Sequence, residues 1–589
     1  MKHLSRWELA VVLPALHTLG AATGDGGPIM MPPFFVEEQR ADGIKWLYGA
    51  DADLQVLSGC ATDATAGFLR QIMEQRNELR AFIPDEFLLH ASLPTTLIVF
   101  PESLKQTMDQ ALARELEQGD ADKPRRFSPM NDLRLSEPDS SYIFIVFDDV
   151  APGTEAWLRG GGGTRPMNLQ TAVHSPAYLR FLLKARVPAL PDWYVSGCVG
   201  LYETNEFKAD SGSDGRPSQA GRLALDGARF GTDPWLSEGD ASALRRHPDG
   251  ARPLVPMREL FAARYPSSKS DEYRRVWEAQ AELFVRWALS GGVDGGPERL
   301  RRFVEGATTQ RTTEEFFYSC FGIDYGDALD ALSDFLPHAV ERPLYVAPGT
   351  APGFPSFDLR EATAGEVRRI KGEWSRRVLG VIKEDNPGSL PHFAGKVRAS
   401  LEGSLARGER DPGFLASLAL FRIQNGSPKE GFQLLEQYSG AAAARPMAQL
   451  ELAQQHLLEA LARPTGTKGL LGDEQASELL REISACLNAG PIESAYKLAA
   501  KVLEHLGRDP TRSERMMLAD GARLFPRDSQ LVVQAVSWEL RAGEVMGASR
   551  LIEFGLWEGA DPSESQKLLV LENLARQALA ATSPQGGIR

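Results

Sequence analysis

The sequence predicts an α+β protein in two parts. A small mixed α/β portion leads into a mostly helical domain, and an all-α helical-repeat domain follows. Three observations predict it. Strand-like and helix-like apolar patterns alternate over the first 150 residues. A stretch rich in proline, 341–363, separates regions of different composition. Beyond it the chain is rich in Ala, Leu, Glu and Arg, and Pro491, Pro526 and Pro562 recur at intervals of 35 and 36 residues, the period of helix-pair repeats.

A chain of 589 residues exceeds what one core supports, so several domains are expected. Residues 1–22 carry Lys2, His3 and Arg6, then an apolar run, then Gly20-Ala21-Ala22, and read as a secretory signal. Export to the periplasm or the extracellular space follows if that leader is real, and a cytoplasmic location otherwise. The remaining expected boundaries are 23–150 (mixed α/β), 151–340 (mostly helical), 341–363 (linker) and 364–589 (repeats).

Each element has a local reason. Ile44 to Tyr48 alternates as a strand. Phe68, Leu69, Ile72, Met73, Leu79 and Phe82 mark an amphipathic helix over about 63–82, ended by Pro84. Leu97 to Phe100 reads as a buried strand, 102–117 as a charged helix, and Ser141 to Phe147 as the strongest strand of the chain. Gly160 to Gly163 lacks a following G-K-[ST] and reads as a loop, not a phosphate cradle. Residues 208–252 read as hairpins and loops. Tyr273, Val276, Trp277, Gln280, Phe284 and Trp287 repeat at helical spacing. Thr312 with Glu315 reads as a capping box. In the repeats, Asp411-Pro412, Ser427-Pro428, Asp509-Pro510 and Asp561-Pro562 mark helix starts, and Asn425-Gly426 and Leu506-Gly507 mark stops. Ala499, Ala522, Ala535 and Ala548 fit close helix approach. Arg368, Arg369, Arg376 and Arg377 flank the stripe Val367, Ile370, Trp374, Val378 and Val381, and read as a solvated face.

The candidate site lies in Thr171 to Phe207: an apolar helix, a Pro-bounded turn, and a second helix opening on Trp193. Ser175 followed by Pro176 reads as a helix cap and first residue. This outline resembles the zinc-site helix pair of the bacterial gluzincin metallopeptidases, with H-E-x-x-H on one helix and W-[LV]-x-E-G at the head of the next. The resemblance spans roughly residues 44–340. It implies a peptidase-like frame. His174 stands at the first ligand position, but Ser175 replaces the general base, Tyr178 the second ligand and Ser196 the third. A catalytic zinc needs three protein ligands. The resemblance therefore implies a pseudo-peptidase with no zinc or other cofactor.

Two other readings use the same residues. A relocated metal set would draw on His174, Asp192, Glu203 and Glu206, making the chain an active metal-dependent hydrolase. Alternatively the repeats alone act, as a structural scaffold. Serine hydrolysis by Ser175 or Ser196 lacks the G-x-S-x-G context. The expected partner is a protein or peptide docked on the repeats. A net charge of −14 argues against general nucleic-acid binding, and no run of about 18 apolar residues follows the leader to span a membrane. Cys60, Cys198, Cys320 and Cys486 lie far apart, form no C-x-x-C, and read as buried free thiols.

Overall fold

The computed structural model describes residues 29–31, 45–109, 127–147, 176–203, 207–209, 223–225, 254–336, 344–346, 358–462 and 470–582, less short breaks at 52–53, 81, 89–94, 103–104, 107–108, 130–131, 263–264, 291, 386 and 557–561. The expected leader, most of the 102–117 helix and the Gly160–Gly163 loop lie outside the described residues.

The front half is built on a mixed sheet. Its strands are β2 (Leu47–Ala50), β3 (Leu54–Ser58), β4 (Thr95–Pro101), β6 (Asp132–Glu137), β7 (Ser140–Phe147) and β11 (Arg360–Glu361), in the order β11-β2-β3-β4-β7-β6. Short strands β1 (Ile29–Met31) and β5 (Phe127–Pro129) pair beside it, and β8 (Phe207–Ala209), β9 (Leu223–Leu225) and β10 (Leu344–Val346) make a separate small sheet. The centre, β3-β4-β7, is parallel, and each outer pair is antiparallel. A parallel β3–β4 pair needs a crossover, and α1 (Thr62–Arg80) supplies it. The expected strand at 44–48 falls two or three residues later, and β3 has no counterpart in the sequence reading because Val56-Leu57 interrupts its alternation.

Successive strand residues point to opposite faces, so this sheet serves two cores. Val56, Leu97, Val99, Ile143 and Ile145 face the first. There they meet α1, then α2 (Pro176–Lys184), α3 (Asp192–Glu203), α4 (Met257–Leu260), α5 (Asp271–Leu289), α6 (Gly296–Thr309), α7 (Glu314–Phe321) and α8 (Tyr325–Phe335). Helix α7 begins one residue later than a Thr312 cap would place it. Thr313 Oγ1 accepts from Phe316 N at 3.2 Å, while Thr312 Oγ1 donates to Phe261 O at 2.9 Å and ties the helix start to α4.

Leu57, Ile98, Phe100, Leu135, Tyr142 and Phe144 face the second core. Its cover comes from beyond residue 360: α9 (Ala364–Asp385), α10 (Leu390–Ala406), α11 (Pro412–Gln424), α12 (Pro428–Gln437), α13 (Ser439–Ala444) and the start of α14 (Pro446–Ala462). Trp374 of α9 stacks on Phe144 at 5.4 Å. The helices of the second half therefore begin on the sheet itself, and Arg360 and Glu361, inside the proline-rich stretch, pair with β2.

The third core belongs to α14, α15 (Asp473–Leu487), α16 (Glu493–Glu504), α17 (Arg512–Leu524), α18 (Ser529–Arg541), α19 (Val545–Gly555) and α20 (Pro562–Thr582). From α16 to α20 each helix touches the next and the next but one, the packing of a helical-repeat array. Ala499, Ala522, Ala535 and Ala548 are all buried, as close approach requires. Asp411 Oδ1 accepts from Phe414 N at 2.9 Å and caps α11 as read from sequence. Helix α17 starts later than Asp509-Pro510 would place it, because Thr511 and Glu514 form a capping box that satisfies two end donors at once. All four cysteines are buried and free.

Candidate functional site

Helix α2 opens at Pro176, as its Ser-Pro start requires. His174 and Ser175 lie outside the described residues, as does Glu206. Helices α2 and α3 pack together, and Tyr178 on the first and Ser196 on the second are both buried. Asp192 opens α3, and its Oδ2 accepts from Tyr265 N at 2.7 Å. Trp193 is core: Phe261, Phe284, Phe303 and Tyr194 surround it at ring centroid distances of 5.1, 5.5, 5.6 and 5.8 Å. Cys198 is buried, and burial pushes its thiol up to about 12 beside Tyr194.

Helix α5 backs α3 closely because two glycines face it. A Cβ on Gly197 would lie 2.6 Å from Ala281 O, and one on Gly200 would lie 2.8 Å from Glu282 Oε2. Glu282 and Arg286, one turn apart on α5, are 4% and 1% exposed. Burial pushes the Arg286 guanidinium down, and Glu282 acts against that. Sequence reading missed this pair, although an acid and a base at i and i+4 inside an apolar stripe was the available signal. Replacing Gly197 by Val should cost about 1–3 kcal/mol by overpacking, read from urea unfolding.

The described motif positions offer two neutral hydroxyls, Tyr178 and Ser196, and among the described residues no three His, Cys, Asp or Glu side chains group as a metal site.

A second cluster sits where α9 meets the β6–β7 hairpin, and it corrects the reading of a solvated arginine face. Arg376 and Arg377 are 3% and 6% exposed. Arg376 Nη2 reaches Glu137 Oε1 at 2.6 Å and Glu373 Oε1 at 2.7 Å. Arg377 Nε meets Glu373 Oε1 at 2.8 Å, its Nη1 donates to Ser140 O at 3.0 Å, and its guanidinium lies 4.5 Å from the centre of the Tyr142 ring. Arg445, just before α14, reaches Asp139 Oδ1 and Glu373 Oε1, each at 2.9 Å. Burial alone would raise the Glu373 carboxyl, but Arg376, Arg445 and Arg377 outweigh it and hold it well below the usual carboxylate range. Asp139 is lowered in the same way, with Arg445 its main partner against burial. Three guanidiniums and three carboxylates thus balance in a dry seam between sheet and repeats. Arg368 and Arg369 lie nearer solvent, on Glu409 at 3.1 Å and on Gln55 Oε1 at 3.2 Å.

A cavity of about 250 Å³ opens where the repeats touch the front lobe again. Its walls are Pro191 before α3, Arg258, Phe261 and Ala262 at α4, Ala307 to Glu314 between α6 and α7, Tyr325 of α8, and Pro526-Arg527 between α17 and α18. Arg527 Nη2 donates to Leu190 O at 3.1 Å across that contact. Sequence reading did not find this place, because its walls come from five separated stretches of chain.

No family model matches the chain, and no curated protein matches it. Among solved structures, it is similar to the crystal structure of a thermophilic TPR protein from Thermus thermophilus, with 14% identity, 36% of this chain and 99% of that one covered, and a TM-score of 0.20. The repeat architecture described above rests on the helix packing within this chain.

Proposed function

We propose that the chain is a protein-binding scaffold: the helical-repeat half supplies the docking surface and the front lobe anchors it. One observation carries this reading. Of the eight large apolar side chains exposed among the described residues, seven lie between Leu458 and Leu574. The sticky surface is therefore on the repeats. It is densest on α20, where Leu569, Val570 and Leu574 face outward while Leu568 and Ala575 are buried against the array. Large apolar side chains grouped in the open on one helix favour a protein partner.

The front lobe, in this proposal, is a peptidase-like frame that grips and does not hydrolyse. Its outline is the contact of α2 with α3 and the close seat of α3 on α5. The expected inactivity follows from the chemistry of the motif positions, since neither Ser196 nor Tyr178 replaces a carboxylate or an imidazole at neutral pH. We also propose that no zinc resides there.

Cross-linking mass spectrometry on the tagged full chain, in cells that natively make it, tests the scaffold reading. Cross-links to partner chains should concentrate on α17 to α20. They should fall at least fivefold in the triple variant Leu569→Ser, Val570→Ser, Leu574→Ser, with Tm unchanged. Partner cross-links confined to the front lobe, or untouched by the triple variant, would overturn it. Elemental analysis tests the second part: one tightly held equivalent of zinc per chain, retained through chelator dialysis, would sink it.

A further inference from the structure

We infer that the outward face of α20 docks on a second copy of this chain, helix against helix about a two-fold axis. This names the occupant of the apolar face described above, and it rests on the reading of α20 as a docking surface.

The face lies opposite the side that holds α20 in place. Leu568 and Ala575, two turns apart, are buried in the third core, where α20 packs on α18 and α19. Half a turn round the helix, Gln566, Val570, Asn573, Gln577 and Ala580 are all exposed. They follow one another at alternating steps of four and three residues, the spacing of a two-helix seam. Leu569 and Leu574 flank the seam at 48% and 51% exposed. Side chains spaced in this way keep facing one partner helix along their whole length, so the occupant is a helix.

Charge selects which helix. None of these outward residues is charged. Lys567 and Arg576 stand at the edges, and each pairs with an acid of α20 itself: Lys567 Nζ with Glu564 Oε1 at 2.7 Å, and Arg576 Nη2 with Glu572 Oε1 at 2.5 Å. These four are the only charged residues of the helix, so α20 is neutral in a chain whose net charge is −14. A basic partner would be met by acids on its docking face, and an acidic partner by bases. This face presents neither in excess. Two copies of an acidic chain repel over most of their surface, and here they approach without bringing like charges together.

The seam also matches itself. Asn573 is its midpoint, two turns from Gln566 and two from Ala580. A two-fold axis crossing the helix there runs the two copies antiparallel and sets Asn573 against its own counterpart. A carboxamide is donor and acceptor at once, so two of them satisfy each other across such an axis. A polar residue within a seam of this kind also fixes its register. Leu569, Val570 and Leu574 then leave water on both copies together.

Sedimentation equilibrium of the purified full chain tests this. One helix pair is a small interface, so we expect a reversible dimer with a Kd of roughly 1–100 µM. Asn573→Glu and Asn573→Lys each set like charges face to face and should weaken it about tenfold or more. Mixed in equal amounts, the two variants should pair with each other, with a Kd within about threefold of the wild type. Asn573 is exposed, so both variants should fold as the wild type does, checked by circular dichroism. Met516→Glu, at an exposed apolar side chain on α17, should leave the Kd within about twofold. A chain that stays monomeric up to about 200 µM, a dimer undiminished in Asn573→Glu, or charge variants that do not associate when mixed would overturn the proposal. If the chain is monomeric while partner cross-links on α20 still fall in the triple variant, the helix docks another protein and the scaffold reading stands without this inference. If those cross-links do not fall either, both are overturned.

Discussion

Replacing Glu373 by Ala should cost the protein about 3–5 kcal/mol, measured by urea unfolding. Its carboxylate is 1% exposed and meets Arg376, Arg377 and Arg445 within 2.9 Å. Removing it leaves three guanidiniums in a dry seam with only Glu137 and Asp139 to balance them. The penalty is the uncompensated buried charge, not the lost bonds alone. The exposed pair Arg481–Glu478, at 3.0 Å, is the contrast, and Glu478→Ala should change stability by less than about 1 kcal/mol. The same cluster sets a pH dependence. Glu373 and Asp139 are both held below their unfolded values. The unfolded chain therefore takes up their protons first as the solution is acidified. Their contribution is whole above the ordinary carboxylate range and is lost as pH falls through it toward their lowered values. Between neutral pH and the carboxylate range, stability should fall less steeply in Glu373→Ala than in the wild type, because one of the two lowered carboxyls is gone.

Cutting the chain after residue 363 should abolish folding of the front half, whereas cutting after Ala462 should leave it folded. The first cut strips Leu57, Ile98, Phe100, Leu135, Tyr142 and Phe144 of their cover. At about 1.5–3 kcal/mol for each large apolar side chain returned to water, the loss over these six is about 9–18 kcal/mol, as large as the ~5–15 kcal/mol that holds a domain together. It also bares Glu137 and Asp139 without their arginines. The second cut keeps α9 to α14 and hence the whole second core. Size-exclusion chromatography and near-ultraviolet circular dichroism separate the outcomes. A monodisperse 1–363 fragment with a native near-ultraviolet spectrum would show that the sheet does not depend on α9.

What the sequence made legible follows the range of the physics. Patterns with near neighbours could be read: β4 and β7 from apolar runs, α1 and α5 from helical spacing, the α11 start from Asp411 before Pro412. Competing local signals misled by a residue or two, as with Thr312 against Thr313 and Asp509 against Thr511. Long-range pairings were invisible. Arg376 and Arg377 look like surface residues until a hairpin more than 230 positions earlier is placed against them. The candidate site shows the same divide. Helix α2 starting at Pro176 and Trp193 packing as core could be read from local sequence. The buried Glu282–Arg286 pair and the arginine-lined cavity emerge only when distant segments are brought together.

The two-faced sheet also bears on how this molecule is made. Its last central strand ends at Phe147, yet the side away from α1 is closed only when Ala448 arrives. At about 5–20 residues per second, roughly 300 further residues take about 15–60 s to emerge from a ribosome. Until α9 and its successors emerge, a broad oily surface lacks the cover that the finished fold gives it. Arrest of translation before α9 should therefore leave that face open to a chaperone.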